Sequence, residues 1–216
     1  MDKIFKKFLK ASRNIVLGDF RSKKLSEIII SKILKYSENR KNIKIIDYGS
    51  GHQPRVIYYI HEKLKKKFNI NVKIDCYDFY TDEEIKKLKK TYKKGINFFN
   101  MSSFKNKTYD FCLINDVLHH IDITKEIVII KILKRLLKSS KIVIIKDHFQ
   151  YGFLSNNIIR FMDFLGNYFN DVKIPKKYYD KKIFEDLLVK IRARVIEKII
   201  SVKLYPSYLL FMSNPD

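Results

Sequence analysis

The chain has only two cysteines in 216 residues. Cys76 and Cys112 each sit inside an apolar, strand-like run without C-x-x-C spacing. That excludes a disulfide scaffold and points to reduced core thiols in an intracellular protein. The histidines, at positions 52, 61, 119, 120 and 148, show no His/Cys ligand spacing, so the sequence predicts no metal centre. There is no run of 18 apolar residues, which excludes a transmembrane helix, and the N-terminus lacks the apolar region of a secretory leader. Repeats, low-complexity tracts and linkers are missing as well. What remains is a cytoplasmic chain long enough for one α/β domain with a real core.

Acidic residues are also scarce, 23 Asp+Glu against 45 Lys+Arg, for a formal net charge of +22. Such an excess suits nucleic acid, an anionic membrane surface or an acidic substrate. Yet it consists of 37 Lys and 8 Arg beside heavy use of Ile and Asn, a profile that an AT-rich coding sequence also produces. Lys63 to Lys67 and Lys86 to Lys94 fall on helical segments, where solvated faces absorb charge without any partner. Both readings stand at this level.

Apolar periodicity sets the elements. Residues 3–38 read as helix broken near Gly18 and Asp19, with Leu25, Ile28, Ile29, Ile33 and Leu34 on one face of the second piece. Residues 1–42 are therefore taken as an N-terminal helical cover over a domain spanning 43–216. From Ile43 the period changes to strand–helix alternation. Strands are predicted at 43–47, 72–79, 96–99, 109–115 and 141–147. Helices are predicted at about 54–67, from Thr81, and at 123–138. Thr81 caps an acidic-start helix, TDEEIKKLKK. Repeated βαβ units imply a parallel sheet flanked by helices. The alternation then lapses at 151–182, and a helix near 182–191 and two strands, about 193–203 and 207–213, follow.

The first strand ends in Asp47-Tyr48-Gly49-Ser50-Gly51 and runs into a helix behind Pro54. Glycines let a ligand approach the backbone, and the helix N-terminus offers N–H groups. An acidic residue at the end of the second strand suits ribose hydroxyls. Asp75 and Asp78 lie at suitable spacing, and Asp78 stands at the strand's carboxyl end, where open α/β sheets bind ligands. The dinucleotide pattern G-x-G-x-x-G is not completed, since Gln53 and Pro54 follow Gly51 and His52. The G-K-[ST] of a P-loop is absent, so neither NAD nor ATP is supported.

Ile45-Ile46-Asp47-Tyr48-Gly49-Ser50-Gly51 resembles the first motif of class I S-adenosylmethionine-dependent methyltransferases. Tyr109 to His120 (YDFCLINDVLHH) is similar to their fourth-strand motif, in the version of quinone-biosynthesis and other small-molecule methyltransferases. The resemblance runs in order from about 43 to 150. It implies a Rossmann-like α/β methyltransferase fold: a mostly parallel seven-stranded sheet, helices on both faces and a C-terminal antiparallel hairpin. It further implies S-adenosyl-L-methionine as cofactor, with Asp47, Gly49, Ser50 and Gly51 along its methionine part and Asp78 on the ribose. Phe79 would then lie beside the adenine, Asn100 and Met101 in the place of the adenine-contacting pair, and Asn115 toward the methionyl end. Gln53, in the place of the family's third glycine, departs from the pattern.

Methyl transfer from a sulfonium needs positioning and exclusion of water, and a base only for a nucleophile of high pKa. The candidates at the carboxyl ends of strands four and five are His148 with neighbouring Asp147, then His119 and His120. His52 stands in the glycine loop. Each has a plain structural alternative as a packed or capping residue. The segment 151–182 is read as a lid. Leu154, Ile158, Phe161, Met162 and Leu165 share a helical face that either packs on the sheet or walls an apolar, lipid-like acceptor. Tyr151, Phe161, Met162 and Tyr178 are the candidate substrate contacts. Two rivals accompany a small-molecule acceptor. One is an RNA methyltransferase, disfavoured because Asn115-Asp116-Val117-Leu118 stands where base-amino enzymes carry Pro-Pro-aromatic. The other is a non-catalytic cofactor-binding protein at a membrane surface, suggested by the basic amphipathic residues 3–10.

Overall fold

A computed structural model describes residues 19–92, 95–105, 107–121, 125–150, 153, 156–161, 179–201 and 207–214. The elements are α1 (Asp19–Tyr36), β1 (Asn42–Tyr48), α2 (Arg55–Phe68), β2 (Asn71–Asp78), α3 (Asp82–Thr91), β3 (Ile96–Asn100), β4 (Tyr109–Asn115), α4 (Glu126–Ser139), β5 (Ser140–His148), α5 (Lys181–Ile191), β6 (Arg194–Ser201) and β7 (Ser207–Ser213). One seven-stranded sheet has the order β3-β2-β1-β4-β5-β7-β6. β1/β4, β2/β3 and β4/β5 are parallel, whereas β7 runs antiparallel to both β5 and β6. The parallel part is the sheet that the alternation predicts, and the closing antiparallel hairpin is the one that the resemblance implies. Of the predicted strand at 193–203, the described part forms β6, Arg194–Ser201, and residues 202–203 lie outside the described residues. The first helical piece, residues 3–17, lies outside the described residues.

By internal contacts the chain forms two compact units. One runs to Lys44 and resumes at Ser50–Ser103; the other comprises Ile45–Gly49 and Phe104–Asp216. In the first, α1 buries Ile29, Ile30 and Ile33, while Glu27 pairs with Lys63 of α2 at 2.6 Å and Tyr59 donates to Asp19. Both α2 and α3 concentrate lysine in the last turn, where cations complement the helix dipole. Lys65, Lys66, Lys67, Lys86, Lys87, Lys89 and Lys90 are all exposed, so these two runs are solvated faces. Thr81 accepts from the Glu84 amide, and Glu84 answers on the Thr81 amide, closing the capping box that starts α3.

In the second unit β4 and β5 form the core. Ile142, Val143, Ile144 and Ile145 are buried beside Phe111 to Ile114, as parallel strands covered on both faces require. β5 stays buried to its end, although that end reads Lys146-Asp147-His148. Three consecutive ionisable residues in a dry strand are tolerated only when every one is paired.

Candidate active site

Within the first unit, the backbone after β1 turns at Gly51, whose φ of +66° is the left-handed conformation glycine adopts freely. A Cβ at this glycine would meet nothing within 4 Å, so the loop is flanked by open space. Its amide donates to Asp78 Oδ2 at 2.6 Å, and the Phe79 amide donates to Oδ1 at 2.7 Å. Two backbone donors thus fix a carboxylate at the end of β2 and leave lone pairs for further donors. Tyr80, buried, donates its hydroxyl to the Gly51 carbonyl at 2.6 Å and lies 2.7 Å from Ser50 Oγ. The Ser50 amide reaches the Tyr77 carbonyl at 3.3 Å. Asn100 donates to the Tyr80 carbonyl and accepts from the amide and hydroxyl of Ser102, which anchors the 3-10 turn of Met101–Ser103. Phe79 is 80% exposed. His52 is exposed, with Nδ1 3.4 Å from Glu84. Tyr80 was not foreseen: it carries no local motif, and only folding brings it back to a loop 29 residues earlier.

In the second unit, Asp47 is buried at the end of β1, and Gly49 follows with φ +77°. A Cβ on Gly49 would lie 2.5 Å from Val117 Cγ2, so this glycine is needed both for its dihedral and for the close approach of the turn after β4. That turn begins with Asn115, whose buried Oδ1 lacks a hydrogen-bond partner among the described residues, and with Asp116 at φ +56°. The Asp116 amide donates to the Lys146 carbonyl at 2.8 Å. Lys146 Nζ pairs with Asp116 Oδ1 and lies 3.0 Å from His148 Nε2, itself 3.1 Å from the same Oδ1. These contacts hold the Asp116 carboxyl well below its usual range, against the opposing effect of burial. Burial, then the Lys146 charge, pushes His148 down and so favours its neutral form.

Asp147 has different partners from those its sequence neighbours suggest. Its carboxylate takes the His119 ring Nδ1 and the amides of Leu118, His119 and His148. Burial raises its pKa, but His119 overrides that and the net direction is downward. The three catalytic candidates thus divide into two sets: Asp147 with His119, and His148 with Asp116 and Lys146. His120 is exposed, its ring 4.1 Å from that of His119. Asp116 and Lys146 went unnoticed in the sequence, where one stands inside a loop motif and the other at a strand end. A lysine inside the apolar run of β5 was the available signal.

One donor atom each from Asp116, His119 and Asp147 lies within 4.8 Å of the others, a set that could hold a metal ion and that no spacing reveals. Lys146 already neutralises Asp116 there, and His119 already engages Asp147. Among the candidate substrate contacts, Phe161 is 60% exposed, as is nearby Phe153 at 85%. Tyr151, Met162 and Tyr178 lie outside the described residues.

No family model and no curated protein matches the chain. Solved structures do. The plantazolicin methyltransferase BpumL, in complex with SAH, superposes with a TM-score of 0.68 at 15% identity over 99% of this chain and 92% of its own. Magnesium protoporphyrin IX methyltransferase ChlM from Synechocystis PCC 6803, with bound SAH, gives 0.62 at 13% identity over 94% and 88%. The mitomycin 7-O-methyltransferase MmcR gives 0.59 at 16% identity over 80% of this chain but 49% of that one, so this chain spans about half its length. At these identities the likeness establishes the fold, a Rossmann-like α/β sheet of the class I methyltransferase type.

Proposed function

We propose that the protein is an S-adenosyl-L-methionine-dependent methyltransferase acting on a small-molecule acceptor. The observation that carries this reading is Asp78: a carboxylate at the end of β2, fixed by the Gly51 and Phe79 amides beside a loop with open space at Gly51. That is the chemistry a ribose diol needs, two acceptors held rigid next to a backbone that a ligand can approach. The matching folds that hold SAH support the same choice of cofactor. When bound, the cofactor supplies a methyl group already activated on a sulfonium. The chain's own work is then to bind and orient. Asp78 would hold the ribose, Ser50 and Gly51 the adjoining backbone, Asp47 and Gly49 the amino-acid part, and Asn115 Oδ1 would accept from its ammonium. Phe79, Asn100 and Met101 are the proposed adenine neighbours. His148, kept neutral by its surroundings, is the candidate proton acceptor after transfer, while Asp147 and His119 secure the turn that carries Asn115 and Asp116.

The finer reading, an apolar acceptor under a lid, draws support from the exposed rings of Phe153 and Phe161. Peripheral attachment to an anionic membrane draws on the basic residues 3–10, which lie outside the described residues. No helix among the described residues is long and apolar enough to cross a membrane. Isothermal calorimetry with S-adenosylmethionine tests the core proposal. Saturable binding is expected, weakened at least about tenfold in Asp78→Ala by loss of charged hydrogen bonds and abolished by Gly51→Val. Absence of binding by the intact folded chain would end the methyltransferase reading.

A further inference from the structure

Asp116 is the one member of the buried charge cluster that reaches the surface: its side chain is 37% exposed, against 10% for Lys146 and 2% for His148. Both Lys146 and His148 engage the same oxygen, Oδ1. Among the described residues nothing bonds Oδ2. These two contacts and the bond from the Asp116 amide to the Lys146 carbonyl hold the carboxylate still. Its position follows from the packing of its neighbour, since Val117 touches Gly49, the first glycine of the loop. A rigid carboxylate therefore stands just after β4, in the turn whose Val117 packs against Gly49. A second group there also has unspent capacity. The Tyr208 hydroxyl, on a residue 4% exposed and paired in register with Asp147, lacks a hydrogen-bond partner among the described residues.

The charge of this oxygen selects among nucleophiles. When a neutral amine takes a methyl group, its lone pair forms the N–C bond and sulfur keeps the electron pair of the broken S–C bond. The positive charge then passes from sulfur to nitrogen, and the ammonium afterwards releases a proton to solvent or a neutral imidazole. A fixed carboxylate favours charge of that sign at every stage. A hydroxyl acceptor needs the reverse, a base strong enough to withdraw a proton before transfer. Asp116, already committed to Lys146, is a poor one, and its negative charge would oppose an oxyanion.

We propose that Asp116 Oδ2 is the anionic contact for a cationic nitrogen at the point of transfer, and hence that the acceptor is an amine rather than an alcohol or phenol. The inference rests on the methyltransferase reading above. It is tested with two cofactor analogues, S-adenosylhomocysteine, which is neutral at the transfer point, and sinefungin, which carries an ammonium there. Wild-type protein should bind sinefungin about tenfold more tightly than S-adenosylhomocysteine, the size of one charge-assisted hydrogen bond. Asp116→Asn, which suits a positive φ as Asp does, should erase that ratio while leaving the S-adenosylhomocysteine affinity within about twofold. Asp116→Gly, equally compatible with the backbone, is the second variant if the first folds poorly, as judged by circular dichroism. Asp78→Asn should weaken both ligands alike. A ratio unchanged in the folded variants overturns the proposal. So does equal weakening of both ligands, which would assign Asp116 to the amino-acid end they share. Binding of neither ligand by wild-type protein overturns the methyltransferase reading itself.

Discussion

The Asp147 carboxylate is bonded to the ring of His119, which lies 28 residues away in the chain, while the ring of adjacent His148 faces Asp116 and Lys146 on another carboxylate. Two charge pairs of separate duty therefore arise from three consecutive residues. Asp147 stabilises the turn after β4, and His148 joins the group that ends at Asp116.

Removing Asp147 should cost more than removing any exposed carboxylate. Asp147→Ala leaves the His119 ring and three amides without their acceptor in a dry setting. Loss of about 3 kcal/mol or more of folding stability is expected. Urea denaturation measures it, and a loss below about 1 kcal/mol would show that the turn is held by packing alone.

The two loop glycines should respond differently. Gly49→Ala meets Val117 at 2.5 Å as well as an unfavourable φ, so about 3 kcal/mol is expected from clash and dihedral together. Gly51→Ala meets only the dihedral cost, about 1 kcal/mol, because nothing lies within 4 Å. Adding Val117→Ala to Gly49→Ala should recover the steric part and not the rest.

Tyr80→Phe removes the hydroxyl that bonds the Gly51 carbonyl and Ser50 Oγ. The ring remains packed against Phe98, so the change in thermal midpoint should be small. Cofactor affinity, read by calorimetry, should fall several-fold through loss of one loop-positioning hydrogen bond of about 1 kcal/mol.

Acid should unfold the protein in two stages. His148 has a folded pKa below its ordinary value, so the unfolded chain takes up a proton first and stability declines as pH drops below about 6.5. Asp116 and Asp147 have depressed folded values. Their contribution is present above about pH 4 and is lost as pH falls further, through the folded values. Urea midpoints measured from pH 8 to pH 3 should decline across both windows. His148→Gln should flatten the upper window and spare the lower.

Local pattern made the scaffold legible. The β-branched runs at 43–47 and 141–147 and the Thr81 cap are short-range signals, and the strands and the helix start lie where those signals put them. Asp78 and Gly51 were legible because a strand end and a glycine loop announce themselves. Tyr80, Asp116 and Lys146 were not, because their importance depends on partners 29 to 30 residues away. Spacing along the chain encodes periodicity and turn chemistry, both properties of a few neighbouring residues. Burial, the different partners of Asp147 and His148, and the partial exposure of the Asp116 side chain arise only when distant strands align and water is excluded. The sequence alone thus determined an α/β sheet with a glycine loop and a lysine-rich composition. Tertiary structure decided which lysines are solvated, which ionisable residues around the end of β5 are locked together, and that Asp116 among them stays partly exposed.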